Sequence, residues 1–480
     1  MNYGIIVRTI GRIMLIVAML LMLPMFVSIY YGESLFWAYL IPIGIILAIS
    51  VPLEIWFKPQ SHMYAKEGYV IVGFTWIFLS LFGCLPFYLS GSIPSFVDAF
   101  FETVSGFTTT GSSILTEIES LPKSILFWRS FTHWIGGMGV LVFALAVLPS
   151  RDGANMHLMR AEAPGPKVGK LVSKMSSTAR LLYAIYLFLT ALEVICLLIA
   201  GQPLYDSLVN AFATAGTGGF SVLNSSIGGY NSASVEYIIS IFMLLFGVNF
   251  NLFYFILIKK FSQAFKSEEL RAYLIIILSA ITIITINIYH LYDNFADAFR
   301  YALFQVSSII TTTGFGTADF NTWPTLSKII LVFLMFIGAC AGSTGGGIKV
   351  SRFVILIKQS FREVNRILNP RKVIAVKMEG KAVSDTVLNG VAFYIITYIF
   401  IILSSVILIS PDNFDVTTTV TAVIACINNI GPGLGDVGPT GNYSQFSNFS
   451  KIVLSFNMLA GRLELFPILI LFSKSTWTKR

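Results

Sequence analysis

Residues 98–111 read DAFFETVSGFTTTG, running from Asp98 to Gly111, and the pattern returns three times. It recurs as DSLVNAFATAGTGGF from Asp206, as DAFRYALFQVSSIITTTGF from Asp297 and as DVTTTVTAVIACINNIGP from Asp415. Each copy starts on an acid, continues through an apolar or small-residue run and ends on a glycine: Gly111, Gly219, Gly314 or Gly431. The acid-to-glycine spacings are 13, 13, 17 and 16, and successive glycines are 108, 95 and 117 residues apart. A repeat of this kind decides architecture before any detail does. Each segment is too short to cross a bilayer, yet each lies between apolar runs long enough to do so. An acid at the start suits a helix N-terminus. The expected unit is therefore a span, a re-entrant half-helix, an extended glycine strand and a second span, four times over, enclosing one central pore.

The composition around these segments agrees. Of 480 residues, 55% are apolar, 12% are charged and 41 are Phe; the mean hydropathy is +0.78. So few charges cannot cover a soluble surface, and so much apolar content excludes disorder. Cys84, Cys196, Cys340 and Cys426 sit in apolar runs without CxxC spacing and read as packing residues. His62, His133, His157 and His290 are scattered and form no metal or catalytic set, with His133 read as helix packing.

Ten apolar runs qualify as spans, near 11–31, 36–57, 69–90, 126–149, 181–200, 236–258, 272–290, 327–358 (interrupted), 387–409 and 449–473. With the N-terminus inside, 26 of the 32 Lys and Arg fall on one side, which sets an even span count with both termini cytoplasmic. The expected division is a pair of N-terminal membrane helices in 1–66, then repeats over 67–150, 151–265, 266–370 (with its second span broken) and 371–480. The basic loops 150–180 and 349–381 either dock a cytoplasmic partner or only enforce topology.

Four Thr/Gly segments at matched positions point to cation dehydration. Glycine admits backbone conformations that turn carbonyls toward an ion, and threonine adds a hydroxyl. Thr109, Thr110, Gly111, Gly218, Gly219, Thr312, Thr313, Gly314, Asn429, Ile430 and Gly431 are the expected filter. No carboxylate adjoins these glycines, which favours a large monovalent cation over a divalent one. A second feature, Gly338 to Gly347, is half glycine and should break its span near the bilayer midplane. Gly342, Gly345, Gly346 and Gly347 then form a gate beneath the filter, or else a tight small-residue helix contact. Arg462 lies mid-span, where an arginine is costly. It faces the pore as part of that gate, or it makes a structural ion pair or a bond to loop carbonyls. Two apparent nucleotide motifs fail: Ile348 stands where a phosphate loop needs Lys, and GLGDVG at 433–438 has no strand before it. A carrier coupled to sodium or protons is the second reading, with Glu193 its one obvious mid-membrane acid. A membrane enzyme finds no supporting constellation.

These motifs, with Gly342–Ser343–Thr344–Gly345–Gly346–Gly347–Ile348–Lys349, Asn428–Asn429–Ile430–Gly431–Pro432 and Gly461–Arg462–Leu463–Glu464, resemble the Trk/Ktr/HKT superfamily of potassium transporters along essentially the whole chain. The two extra N-terminal spans favour the TrkH branch over the eight-span KtrB type. The resemblance implies an all-α fold of four pseudo-fourfold M1–P–M2 repeats around a central pore, and a homodimer with separate pores. It implies potassium uptake through a filter with one key glycine per repeat, here Gly111, Gly219, Gly314 and Gly431. It also implies an intramembrane gate made by the third repeat's glycine loop and closed by Arg462. The partner it implies is a cytoplasmic TrkA-like nucleotide-binding ring, and the location a bacterial cytoplasmic (inner) membrane. No cofactor is expected, potassium being the substrate. Gly111, where sodium-preferring plant relatives carry Ser, favours potassium. The missing Thr at Gly218 and the Thr at position 313 are departures that would soften discrimination.

Overall fold

The computed structural model describes residues 1–57, 64–139, 175–372 and 374–478. The described residues are mostly helical. Among the described residues six helices are long and apolar enough to cross a membrane, and two further pairs qualify if each bent pair is one span. Two helices, α1 (Tyr3–Tyr30) and α2 (Phe36–Trp56), pack as a hairpin. The first repeat follows as α3 (Ala65–Gly83), the short α4 (Leu85–Leu89), the half-helix α5 (Phe96–Phe107) and α6 (Lys123–Gly137). The second comprises α7 (Met175–Ile199), the half-helix α8 (Leu204–Gly216), α9 (Ala233–Phe246) and α10 (Phe250–Leu257). The third comprises α11 (Glu268–Ile288), the half-helix α12 (Phe295–Ile310), α13 (Thr325–Ile337) and α14 (Val350–Leu368). A small hairpin, β1 (Lys377–Met378) and β2 (Lys381–Ala382), leads to α15 (Asp385–Ile409), the half-helix α16 (Val416–Ile427), α17 (Asn448–Arg462) and α18 (Phe466–Leu469).

Two spans expected to be continuous are bent. The 236–258 run turns by 92° between α9 and α10, where Asn249 starts the second helix by accepting the Asn251 amide at 3.0 Å. The 449–473 run turns by 120° after α17, through the left-handed pair Glu464 and Leu465. Hydropathy registers apolar length and is blind to such turns, because the turn residues are themselves apolar or flank apolar ones. The third repeat's second span breaks at Gly338, where the sequence locates it. The 126–149 run is helical to Gly137, and from residue 140 it lies outside the described residues, as does most of the basic loop 150–180.

The four repeats close on one another. The half-helix α8 packs on α6, α12 on α9 and α16 on α13, so each sits against the preceding repeat's second span. The fourth contact, α5 on α17, joins the first repeat to the last. The hairpin α1–α2 stays outside this ring, with α1 packed on α3 and α6. Apolar side chains form the core and also cover much of the outside, while several polar ones are enclosed. Glu102, Thr109, Gln305, Asn428 and Asn429 are buried at the centre, while Trp56, Phe188, Ile199, Phe400 and Ile407 are exposed on the outside. Lipid accepts apolar side chains, and polar groups must find partners within the protein.

Candidate functional site

All four half-helices end in the same way. The amides of Thr109, Thr217, Thr312 and Asn429 reach back three residues, to Gly106, Thr214, Ile309 and Cys426 at 2.9–3.2 Å. The next amides, of Thr110, Gly218, Thr313 and Ile430, reach back five, to Ser105, Ala213, Ser308 and Ala425 at 2.8–3.0 Å. This is a Schellman ending, whose penultimate residue must be left-handed. Thr109, Thr217, Thr312 and Asn429 have φ of 57°, 56°, 60° and 56°. A threonine in that region is strained by about 1–3 kcal/mol, so the surroundings must hold it there. Each ending directs the negative end of a helix dipole toward the glycine strand.

Two residues on, Gly111, Gly219, Gly314 and Gly431 are again left-handed, at φ 80°, 80°, 83° and 96°. They line a common outer cavity of ≈ 150 Å³. A Cβ added to Gly111 would strike the Gly218 carbonyl oxygen; one on Gly219, that of Thr313; one on Gly314, that of Ile430. A Cβ on Gly431 would come within 2.8 Å of the Thr110 oxygen, which closes the circle. Every glycine thus faces the carbonyl of the next repeat, in one sense, around a closed ring of four. Glycine is required here twice, for its φ and for the missing Cβ.

The side chains of the expected filter have other tasks. The Thr110 and Thr313 hydroxyls pair with those of Thr108 and Thr311, both at 2.8 Å. Asn429 turns its amide away, onto the Thr110 hydroxyl at 3.0 Å and the Met458 carbonyl at 2.9 Å. The Thr110, Thr313 and Asn429 side chains are thus engaged with neighbouring protein groups, while the Thr109 hydroxyl is buried without such a partner among the described residues. Two supports escape a sequence reading. A Cβ on Gly218 would overlap the ring of His133, whose Nδ1 is 2.7 Å from the Gly106 carbonyl. The second strand lacks a Thr because an imidazole from α6 fills that space. The other support is Glu102, buried and paired with Arg129 at 2.7 Å. Glu102 accepts from the Ser113 hydroxyl and the Ile114 amide, both at 2.9 Å, and Arg129 donates to the Ser221 carbonyl at 3.1 Å. The pair thus braces the chain just beyond two of the glycines. At the outer end of the fourth half-helix, the Thr418 hydroxyl and then the Thr418 and Thr417 amides hold the Asp415 carboxyl below the usual carboxylate range.

The TrkH family model, described as a cation transport protein, matches residues 40–479. The chain belongs to the TrkH family. It is 35% identical to the Trk system potassium uptake protein TrkH of Salmonella typhimurium, over 99% of this chain and all of that protein. It is 34% identical to the Trk system potassium uptake protein TrkG of Escherichia coli, over 95% of this chain and 94% of that one. The crystal structure of the potassium transporter TrkH from Vibrio parahaemolyticus superposes with a TM-score of 0.89 at 32% identity, each chain fully covered. A TrkH-family chain with these helices is a multi-pass membrane transport protein and not an enzyme.

In this TrkH-family chain the glycine-rich loop between α13 and α14 lies directly under the ring. A Cβ on Gly345 would come within 2.8 Å of the Thr311 carbonyl, and one on Gly346 would strike that of Asn428. The Gly346 amide donates to the Thr312 hydroxyl at 2.6 Å. Gly338, Gly342 and Gly347 are left-handed, at 70°, 72° and 74°. The Cys340 amide binds the Gly247 carbonyl at 3.0 Å, which ties the loop to the bend in the second repeat. Arg462 ties it to the first: Nη1 donates to the Thr344 carbonyl at 2.8 Å, and Nη2 to the carbonyls of Gly136 and Gly137 at 2.5 and 2.7 Å. The bond to a loop carbonyl, left open beside the pore-facing reading, is therefore made, and it is made at the loop. Glu464 instead pairs with Arg352. The sequence reading missed Lys349, whose buried ammonium binds the Gly345 carbonyl, and Glu269, which accepts from the Ala341 amide at 2.7 Å and the Ser351 amide at 3.1 Å. Lys349 had a signal in the sequence, a lysine closing a glycine run. Glu269 lies 72 residues from Ala341 and had none.

Proposed function

We propose that this chain is the ion-translocating subunit of a potassium uptake system, a gated pore whose filter is the ring of Gly111, Gly219, Gly314 and Gly431 with the carbonyls of Thr110, Gly218, Thr313 and Ile430. The observation that carries this is the closed ring: four left-handed glycines, each against the next repeat's carbonyl. Four converging carbonyls replace the hydration shell of a weakly hydrated monovalent cation, and the four half-helix dipoles add a negative potential without a fixed carboxylate. The relatives' names as potassium uptake proteins support the choice of ion. Inward movement of one charge at 100 mV gains about 2.3 kcal/mol, enough for accumulation without nucleotide hydrolysis by this chain.

The loop carrying Gly342, Gly345, Gly346 and Gly347 is the gate. It touches the base of the third and fourth strands and is held to the other two repeats by the Gly247 carbonyl and Arg462. Arg462 adds positive charge beneath the filter, which raises the barrier to a cation while the loop stays in place. The same reading takes the chain as a homodimer in the bacterial cytoplasmic membrane, termini inside, under a cytoplasmic TrkA-like nucleotide-binding partner.

Rubidium-86 uptake into liposomes holding the purified chain tests the reading, with potassium and sodium as competitors, for wild type and Gly111→Ser. Potassium competing far better than sodium, and losing that advantage in the variant, is the expected result. Equal competition by both ions removes the filter. Silence in a variant lacking Gly342–Gly347 as well removes the pore. Coupling to protons remains a second reading because Glu193 is fully buried in α7. Uptake driven by a pH gradient at zero potential, and lost in Glu193→Gln, would favour it.

A further inference from the structure

The exposed hairpin β1–β2 reaches the start of α11 through one side chain. Glu379 Oε1 accepts from the Ser267 hydroxyl at 2.9 Å, the Glu268 amide at 2.9 Å and the Glu269 amide at 3.3 Å. These are the cap and first two residues of α11. The contact is reinforced: the Glu379 amide donates to Glu268 at 3.3 Å, and Lys358 of α14 both pairs with Glu268 and donates to the Lys377 carbonyl at 2.8 Å. On that same first turn, Glu269 Oε1 holds the Ala341 and Ser351 amides, one from each side of the glycine loop. A helix's first amides have no partner within the helix, and without a cap the first turn frays. Fraying here would carry Glu269 away from both sides of the loop at once.

We propose that Glu379 is a positioning residue for the loop: by capping α11 it holds Glu269 beneath Ala341 and Ser351, and so couples the exposed hairpin Lys377–Ala382 to the segment under the filter. The inference rests on the gated-pore reading above. Two carboxylates and one helical turn carry a displacement of the hairpin to Gly345 and Gly346. The hairpin is exposed along Lys377, Glu379, Gly380, Lys381 and Ala382, so a load applied from the cytoplasmic side reaches it directly.

The test is rubidium-86 uptake into liposomes for wild type, Glu379→Ala, Glu379→Gln, Glu269→Gln, the double variant Glu269→Gln/Glu379→Ala, and the chain lacking Gly342–Gly347. Glu379→Ala is expected to raise basal uptake about fivefold, the effect on a two-state equilibrium of losing the acceptor for two first-turn amides while Ser267 still caps Leu270. Glu379→Gln keeps one acceptor oxygen and rises less. The advantage of potassium over sodium as competitor stays at the wild-type level, since the filter is not touched. In the Glu269→Gln background, Glu379→Ala adds nothing further. Unchanged uptake in Glu379→Ala, beside a conducting loop-deleted chain, overturns the proposal and leaves the pore standing. An equal increase in both backgrounds overturns it too, because Glu379 then acts by another route, and so does altered ion preference. If the loop-deleted chain is silent, the pore reading falls and the proposal with it.

Discussion

The His133 imidazole occupies the space that a side chain on Gly218 would need. The second strand of the ring therefore keeps its geometry without the threonine found in the first and third. Gly218→Thr forces two groups into one volume, and overpacking of this kind costs about 1–3 kcal/mol. The expected result is a loss of rubidium uptake of about tenfold or more. His133→Ala/Gly218→Thr, which exchanges the ring for a hydroxyl, should recover uptake that neither single variant retains. Uptake by Gly218→Thr at the wild-type level would show that the strand tolerates the clash.

The four glycines are not equally crowded. A Cβ at Gly431 comes to 2.8 Å from a carbonyl oxygen, whereas one at Gly111, Gly219 or Gly314 overlaps its carbonyl outright. All four alanine variants carry the penalty of a left-handed alanine, about 1–2 kcal/mol. Gly431→Ala should therefore keep the most uptake and the most preference for potassium over sodium. The check is competition by the two ions against rubidium-86 across the series, and a different variant retaining most would undo the ranking.

Arg462 bridges the glycine loop and the end of α6 with three hydrogen bonds. Arg462→Gln removes the charge and most of the bridge, and basal uptake should rise. Arg462→Lys keeps the charge but loses the planar fork that reaches several carbonyls, so its uptake should fall between the other two. Preference among ions should not change in either. Fluctuation of the loop, followed by hydrogen exchange at Gly345 to Gly347, should increase in the same order.

Glu102 and Arg129 form a buried pair that also holds the chain beyond Gly111 and Gly219. Removing one partner leaves the other charged and enclosed, at a cost of about 3–5 kcal/mol. Glu102→Leu and Arg129→Met should each lower the thermal midpoint of the detergent-solubilised protein sharply. The double variant should cost no more than either single one, because no orphaned charge remains. Additive losses would show that the two residues act independently.

Much of this fold was legible because its signals are local. The span runs follow from apolar length, and the half-helices from an acid, a short apolar run and a glycine repeated four times. The break at Gly338 follows from glycine density alone. The bends after Phe246 and Arg462 were not legible, because one or two polar residues such as Asn249 or Glu464 do not end an otherwise apolar window. The four glycines stand out through their repetition, whereas the partners of the threonine hydroxyls do not. Thr110 and Thr313 spend theirs on neighbouring threonines.

The sequence by itself determined the membrane class, the recurrence of an acid-to-glycine segment and the position of the broken span, since composition and local pattern act over a few residues. Only the tertiary structure decided which carbonyl faces which glycine, that His133 stands in for a side chain at Gly218, and that Glu269 and Arg462 hold the loop. Those contacts join residues from different repeats or across 72 to 326 positions of chain. They exist only because four half-helices each pack on the preceding repeat until the ring closes, and no local pattern encodes that closure.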